Sequence, residues 1–181
     1  MNTATKNLED DHVHILKLID VMEHITQTEN PDTDHLEKIV YIIRNFADGL
    51  HHAKEENLFF PLLAEKGFSP TQGPVAVMLH EHVLGRNFVK GMADNITLFK
   101  SGNKAAIGEI FRNMNGYSEL LRNHISKENN ILFRMADKAL SESDHNNLLN
   151  KFTDAEKSHS QLHESKTYPE QIKELASFYK I

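Results

Sequence analysis

The sequence predicts an all-α protein: an up-down-up-down four-helix bundle with additional C-terminal helices. Three observations carry that expectation. Apolar residues recur at helical spacing through four long segments, no strand-like alternation competes with them, and each segment ends at a cluster of helix-breaking residues. At 181 residues the chain is most simply one domain, long enough to bury a core without covalent staples.

Leu8, Ile15, Ile19 and Met22 set the first segment, which closes at "NPDTD", residues 30–34. Val40, Ile43, Ala47, Leu58 and Leu62 set the second, closed by "EKGFSPTQGP" at 65–74; Pro61 lacks a backbone donor and is expected to kink or close this helix near its end. Val75, Met78, Val89 and Ile96 mark the third segment, up to "KSGNK" at 100–104. Met114, Leu121, Ile131 and Met135 mark the fourth, up to "SESD" at 141–144. Short connections between long helices favour antiparallel neighbours, hence the bundle. Beyond Asp144 an amphipathic stretch reaches about Tyr168 and Pro169 starts a last short helix. Residues 1–140 therefore read as the bundle and 141–181 as a C-terminal helical extension packed on it.

Charge excludes some function classes. The formal net charge is −6, and lysines scattered among Asp and Glu form no basic stripe, so neither nucleic acid nor anionic lipid is an expected partner. The N-terminus "MNTATKNLEDDH" is polar where a signal peptide would be apolar, and no apolar run is long enough for a membrane span. The expected location is cytoplasmic. With no cysteine and twelve histidines, any metal must sit on imidazole, carboxylate, carbonyl or water.

The chemistry lies in a repeat. "LHHAKEENLFFPL" from Leu50 and "NHISKENNILFRM" from Asn123 superpose at a constant offset of 73 residues, placing His51 on His124, Lys54 on Lys127, Glu55 on Glu128 and Asn57 on Asn130. Residues four apart share a helix face, so His51 with Glu55 and His124 with Glu128 each present an imidazole and a carboxylate together. Helical spacing puts Val40, Ile43, Ala47, Leu58 and Leu62 on the first face, and Met114, Tyr117, Leu121, Ile131 and Met135 on the second. Both pairs point into the core. Burying an uncompensated carboxylate costs several kcal/mol, so two of them require a cation between them.

Each remaining helix offers one histidine in register with its apolar face: His12 with Leu8, Ile15, Ile19 and Met22, and His82 with Val75, Met78, Val89 and Ile96. The candidate metal ligands are therefore His12, His51, Glu55, His82, His124 and Glu128. Two helix pairs, each supplying His plus His-x-x-x-Glu, would hold two metal ions with bridging carboxylates if related by an approximate twofold axis. His14 and His80 are alternatives on less apolar stripes. His52 and Glu56 lie with Tyr41, Asn45 and Asp48 on a more polar stripe and are expected outside the ligand set or in solvent. His24, His35, His145, His159 and His163 read as solvated or packing residues, with His159 and His163 a weak surface pair. Tyr117 is either a donor near the metals or a core tyrosine. Sulfur-free imidazole and carboxylate donors suit Fe, Mn or Zn. In the competing reading the inward histidines are hydrogen-bonded core residues of a helical interaction module.

At these residues the chain resembles the hemerythrin-like family, the HHE cation-binding domains. "DHVHILKLIDVME" is similar to the first-helix histidine motif, "HHAKEENLFFPLL" to the HHxxEE signature, "GPVAVMLHEHVLGRNFVKGM" to the third-helix stretch, and "HISKENNILF" to the last HxxxE. The likeness spans about residues 8–137, and the tail resembles the extension of some bacterial members. It implies an oxo- or hydroxo-bridged centre of two Fe ions, with Mn or Zn as other occupants, held by His12, His51, Glu55, His82, His124 and Glu128. The function it implies is that of a non-heme diiron protein that binds O2 or a related small ligand, for oxygen binding, storage or sensing. Oxygen-carrying hemerythrins place a second third-helix histidine one turn after the first, whereas here that residue is Arg86; a fifth histidine would come from His80, His14 or His52. With that departure, a diiron oxidoreductase acting on peroxide, nitric oxide or Fe(II), or an iron sensor, is the alternative.

Overall fold

The computed structural model describes residues 3–160 and 166–181, and their regular structure is entirely helical. Among the described residues six helices follow one another: α1 (Ala4–Ile25), α2 (residues 33–65), α3 (Gly73–Lys100), α4 (residues 106–139), α5 (Glu142–Ser160) and α6 (Tyr168–Tyr179). The first four form the bundle. Local signals fix the ends: the Thr3 hydroxyl accepts from the Lys6 N–H at the start of α1, and the Asp32 carboxylate accepts from the Asp34 and His35 N–H groups at the start of α2. Thr167 and Glu170 form a reciprocal capping box on α6, with Pro169 in its first turn. α3 and α4 pack closely where Gly91 and Gly116 face Asn113 and Phe88, since a Cβ at either glycine would collide with those side chains. Among the described residues no helix is long and apolar enough to cross a membrane.

α2 and α4 depart from uniform α geometry. In α2 the stretches Ile43–His52 and Glu55–Phe59 are π-helical, and in α4 so is Glu128–Leu132. The Phe60 N–H donates to the Glu55 carbonyl, and the Phe133 N–H to the Glu128 carbonyl. A π turn closes i to i+5 and holds one residue more than an α turn, so the helix beyond it is rotated by one position. That rotation corrects the expected face. Leu58 and Leu62 are only half-buried, and Ile131 and Met135 are 51% and 41% exposed. The core is filled instead by Phe59, Phe60 and Leu63 in α2 and by Leu132, Phe133 and Ala136 in α4. Pro61 does not end the helix, which continues to Glu65.

The apolar interior falls into two clusters. One contains Ile15, Ile19, Met22, Ile39, Ile43, Val89, Met92, Met114 and Leu121, completed by Tyr168, Ile172 and Leu175 of α6. The other contains Leu8, Phe59, Phe60, Leu63, Met78, Leu132 and Phe133, completed by Leu148 and Phe152 of α5. Thus both C-terminal helices finish bundle cores rather than lying outside them. Each such side chain contributes roughly 1.5–3 kcal/mol on burial, against about 1 kcal/mol for a cap, so these clusters dominate the fold's stability. Along every bundle helix buried polar residues lie between the two clusters: His12 in α1, His51, His52, Lys54 and Glu55 in α2, His82 in α3, and His124 and Glu128 in α4.

Candidate metal centre

In that polar layer each carboxylate stands between imidazoles of two helices. Glu55 Oε2 lies 3.7 Å from His51 Nε2 and 3.4 Å from His82 Nε2. Glu128 Oε2 lies 3.2 Å from His12 Nε2 and 3.3 Å from His124 Nε2. The two imidazole pairs face each other through Nε2, His12 with His51 at 3.0 Å and His82 with His124 at 3.2 Å. All six residues predicted from sequence meet here, and both carboxylates are fully buried. They assemble two donor sets, each with its donor atoms within 4.8 Å of one another: His12, His51, Glu55 and Glu128 in one, and His52, Glu55, His82 and His124 in the other.

His52 is the correction. Period 3.6 assigns it to a polar stripe, but π geometry begins at Ile43, and the side chain is buried and stacked on His82 with ring centroids 3.8 Å apart. A signal for it is present in the sequence. The offset of 73 aligns His52 with Ile125, so the two halves differ by one imidazole. The same comparison, with an offset of 70 between α1 and α3, sets Asp48 against Leu121 and Arg86 against Leu16. Asp48, His52 and Arg86 each have an apolar counterpart in the repeat, and they form a linked set with Glu56: Arg86 donates to Asp48 at 2.7 Å and to Glu56 at 2.6 Å. His14 is half-buried and His80 exposed, and neither joins a donor set. His145 is buried and accepts the Ala4 N–H; His35 bonds the Tyr179 hydroxyl. His24 is exposed. His163, and with it the His159–His163 pair, lies outside the described residues.

Every one of the five imidazoles is oriented from behind. His12 Nδ1–H donates to Asn129 at 2.7 Å, His51 to Asp11 at 3.2 Å, His52 to Asp48 at 3.4 Å, His82 to Glu56 at 2.7 Å and His124 to Glu81 at 3.0 Å. Holding Nδ1 as the donor leaves Nε2 free to ligate, and an acceptor behind the ring raises its basicity. Asp11, Glu56, Glu81 and Asn129 lie inside the family-like stretches of the sequence, and Asp48 lies just before one of them.

Do these residues fit a cation? Both oxygens of Glu55, both of Glu128 and Nε2 of His52 are buried with no hydrogen-bond partner from the protein. Buried groups in that condition are costly, and the inward-facing Nε2 lone pairs repel one another unless something positive lies between them. Electrostatics says the same. Burial pulls His124 down, but Glu128, Glu81 and Glu55 outweigh it and hold its pKa up to about 10. His12 and His82 are raised against burial in the same way, by Glu128 and by Glu55 with Glu56. Burial would lift Glu128, but His124 and His12 hold it well below the usual carboxylate range. His52, buried and facing three other imidazoles, is pushed well below its ordinary value. The carboxylates hold protons on imidazoles where a metal ion would otherwise supply the charge, and the donor set fits Fe, Mn or Zn.

A cavity of about 230 Å³ reaches the layer at His52, walled by Asp48, Gly85, Arg86, Val89 and Tyr117. The Tyr117 hydroxyl is buried without a partner, and burial raises its pKa.

Fold and geometry together define a helix bundle with an inward histidine and carboxylate centre fed by all four helices. The chain belongs to the hemerythrin family: the hemerythrin HHE cation binding domain model matches residues 3–136. The match ends within α4, so α5 and α6 lie beyond it. Neither the comparison with curated proteins nor that with solved structures gives a match.

Proposed function

We propose that this cation-binding helical domain is a non-heme diiron protein that binds O2 or a related small ligand inside the bundle. One ion would be held by His12, His51, Glu55 and Glu128, the other by His52, His82 and His124 with Glu55. The observation that carries the reading is the sharing of Glu55 between two buried donor sets whose oxygens the protein leaves unpartnered. Irons there would supply reversible one-electron chemistry and coordination positions for a small ligand. The chain's part is to fix five imidazoles by their Nδ1 acceptors, exclude bulk water with the two apolar clusters, and admit a ligand beside His52. Elemental analysis and optical spectra of protein from iron-fed cells test this. Two irons per chain and a near-ultraviolet band that changes between anaerobic and aerobic samples are expected; no iron and a featureless spectrum would refute it.

The cavity favours a second reading, because its volume exceeds what a diatomic molecule needs and Tyr117 and Arg86 put donors in its wall. An oxidoreductase acting on peroxide would use that room. Turnover by the iron-loaded protein that disappears in Glu55→Ala and Glu128→Ala separates it from simple binding.

A further inference from the structure

The long side chain of Lys54 is fully buried. A solvent-free ammonium is expensive unless anions surround it, and three oxygens do: Asp11 Oδ2 at 2.7 Å, Asn7 Oδ1 at 2.8 Å and Glu156 Oε1 at 2.9 Å. Its nitrogen also lies 5.3 Å from the centre of the Phe152 ring. Asp11 is the carboxylate that accepts from His51 Nδ1. Glu156 and Phe152 both belong to α5. A continuous chain of charge-assisted contacts thus runs from the C-terminal extension through Lys54 and Asp11 to an imidazole of the first donor set.

The second half has the same relay without the roof. Lys127, the repeat partner of Lys54, pairs with Glu81, which accepts from His124 Nδ1. Lys127 is 36% exposed, so water solvates what α5 must neutralise in the first half. We propose that Glu156 of α5 is a positioning residue for the metal centre. It holds the buried Lys54 ammonium against Asp11, so that Asp11 stays locked behind His51 and keeps its Nε2 aimed at the first ion. The extension beyond the family domain is then a working part of the site, and the two ions are held with different dependence on it. This rests on the diiron reading above.

Iron content, competition with an iron chelator and melting of the metal-free protein should be compared in wild type, Glu156→Gln, Lys54→Met, Lys127→Met and the double variant Lys54→Met with Glu156→Met. Glu156→Gln is expected to retain the fold and two irons but to hold one of them about tenfold more weakly, the usual size of a change behind a ligand. Lys54→Met takes the buried cation away from both Asp11 and Glu156 and lowers metal-free melting as well. The double variant removes one of those two anions with the ammonium, so melting recovers in part while affinity for that one iron does not. Lys127→Met, open to solvent, weakens iron by less than Lys54→Met. Recovery of iron affinity together with melting in the double variant, or wild-type affinity for both irons in Glu156→Gln, would overturn the proposal and leave α5 a packing element. A wild-type chain that takes up no iron removes the diiron reading itself, and is recognised before any substitution is made.

Discussion

Glu55 is buried between His51 and His82, 3.7 and 3.4 Å from their Nε2 atoms, and belongs to both donor sets. Glu55→Gln removes its charge at nearly constant volume. The metal-free variant is expected to melt lower than wild type, because the buried His82 loses the carboxylate that holds its proton, while iron content falls at both positions; retention of one full equivalent would confine Glu55 to a single set. The acid–base state of the metal-free protein is also open to measurement. His124 has its pKa raised from the ordinary 6.5 to about 10, so its stabilising pairing with Glu128 is whole below pH 6.5 and fades as pH rises through about 10. Glu128 has the opposite sign: its contribution is present above the usual 4.5 and is lost as pH falls through its depressed value. A histidine NMR titration that finds His124 near 6.5 would contradict this. At this scale the six residues that meet in the polar layer were legible from sequence because their types, repeat and apolar neighbours agreed. His52 was not, because its orientation depends on backbone geometry that side-chain periodicity does not encode.

The π turns belong to the scale of the helix. They begin at Glu55 and at Glu128, the same place in both copies of the repeat, and π geometry is less favourable than α and concentrates at functional positions. Asn57 is exposed inside the first of these turns. Deleting it would return the turn to α geometry and still leave Phe59 and Leu63 on the inward face, since each then occupies the position that period 3.6 assigns to Leu58 and Leu62. Metal-free melting is therefore expected to hold or rise, and iron affinity to fall as Glu55 is drawn out of place. A large loss of melting temperature with iron binding intact would assign the turn to packing instead. Helix number, order and most boundaries could be read from breakers and apolar spacing, but the faces beyond residues 55 and 128 could not.

Across the whole molecule, metal and fold are linked, since a ligand that binds only the folded chain adds stability by mass action. At one hundred times its dissociation constant an ion adds about 2.7 kcal/mol, which in a chain of this size raises the melting temperature by roughly 5–10 °C. Calorimetry with and without iron measures it, and identical transitions would argue that the histidines are ordinary core residues. The sequence foresaw helices after residue 141, but the periodicity of each taken alone did not show that α5 and α6 complete different clusters. The polar layer between those clusters gives the metal-free chain a plane of weakness. The smaller end, around Phe59, Phe133 and Phe152, can open as a unit while the Ile19 and Met114 end stays closed. Amide hydrogens in the two halves should then exchange at separate rates, and iron should bring those rates together by joining the halves across that plane.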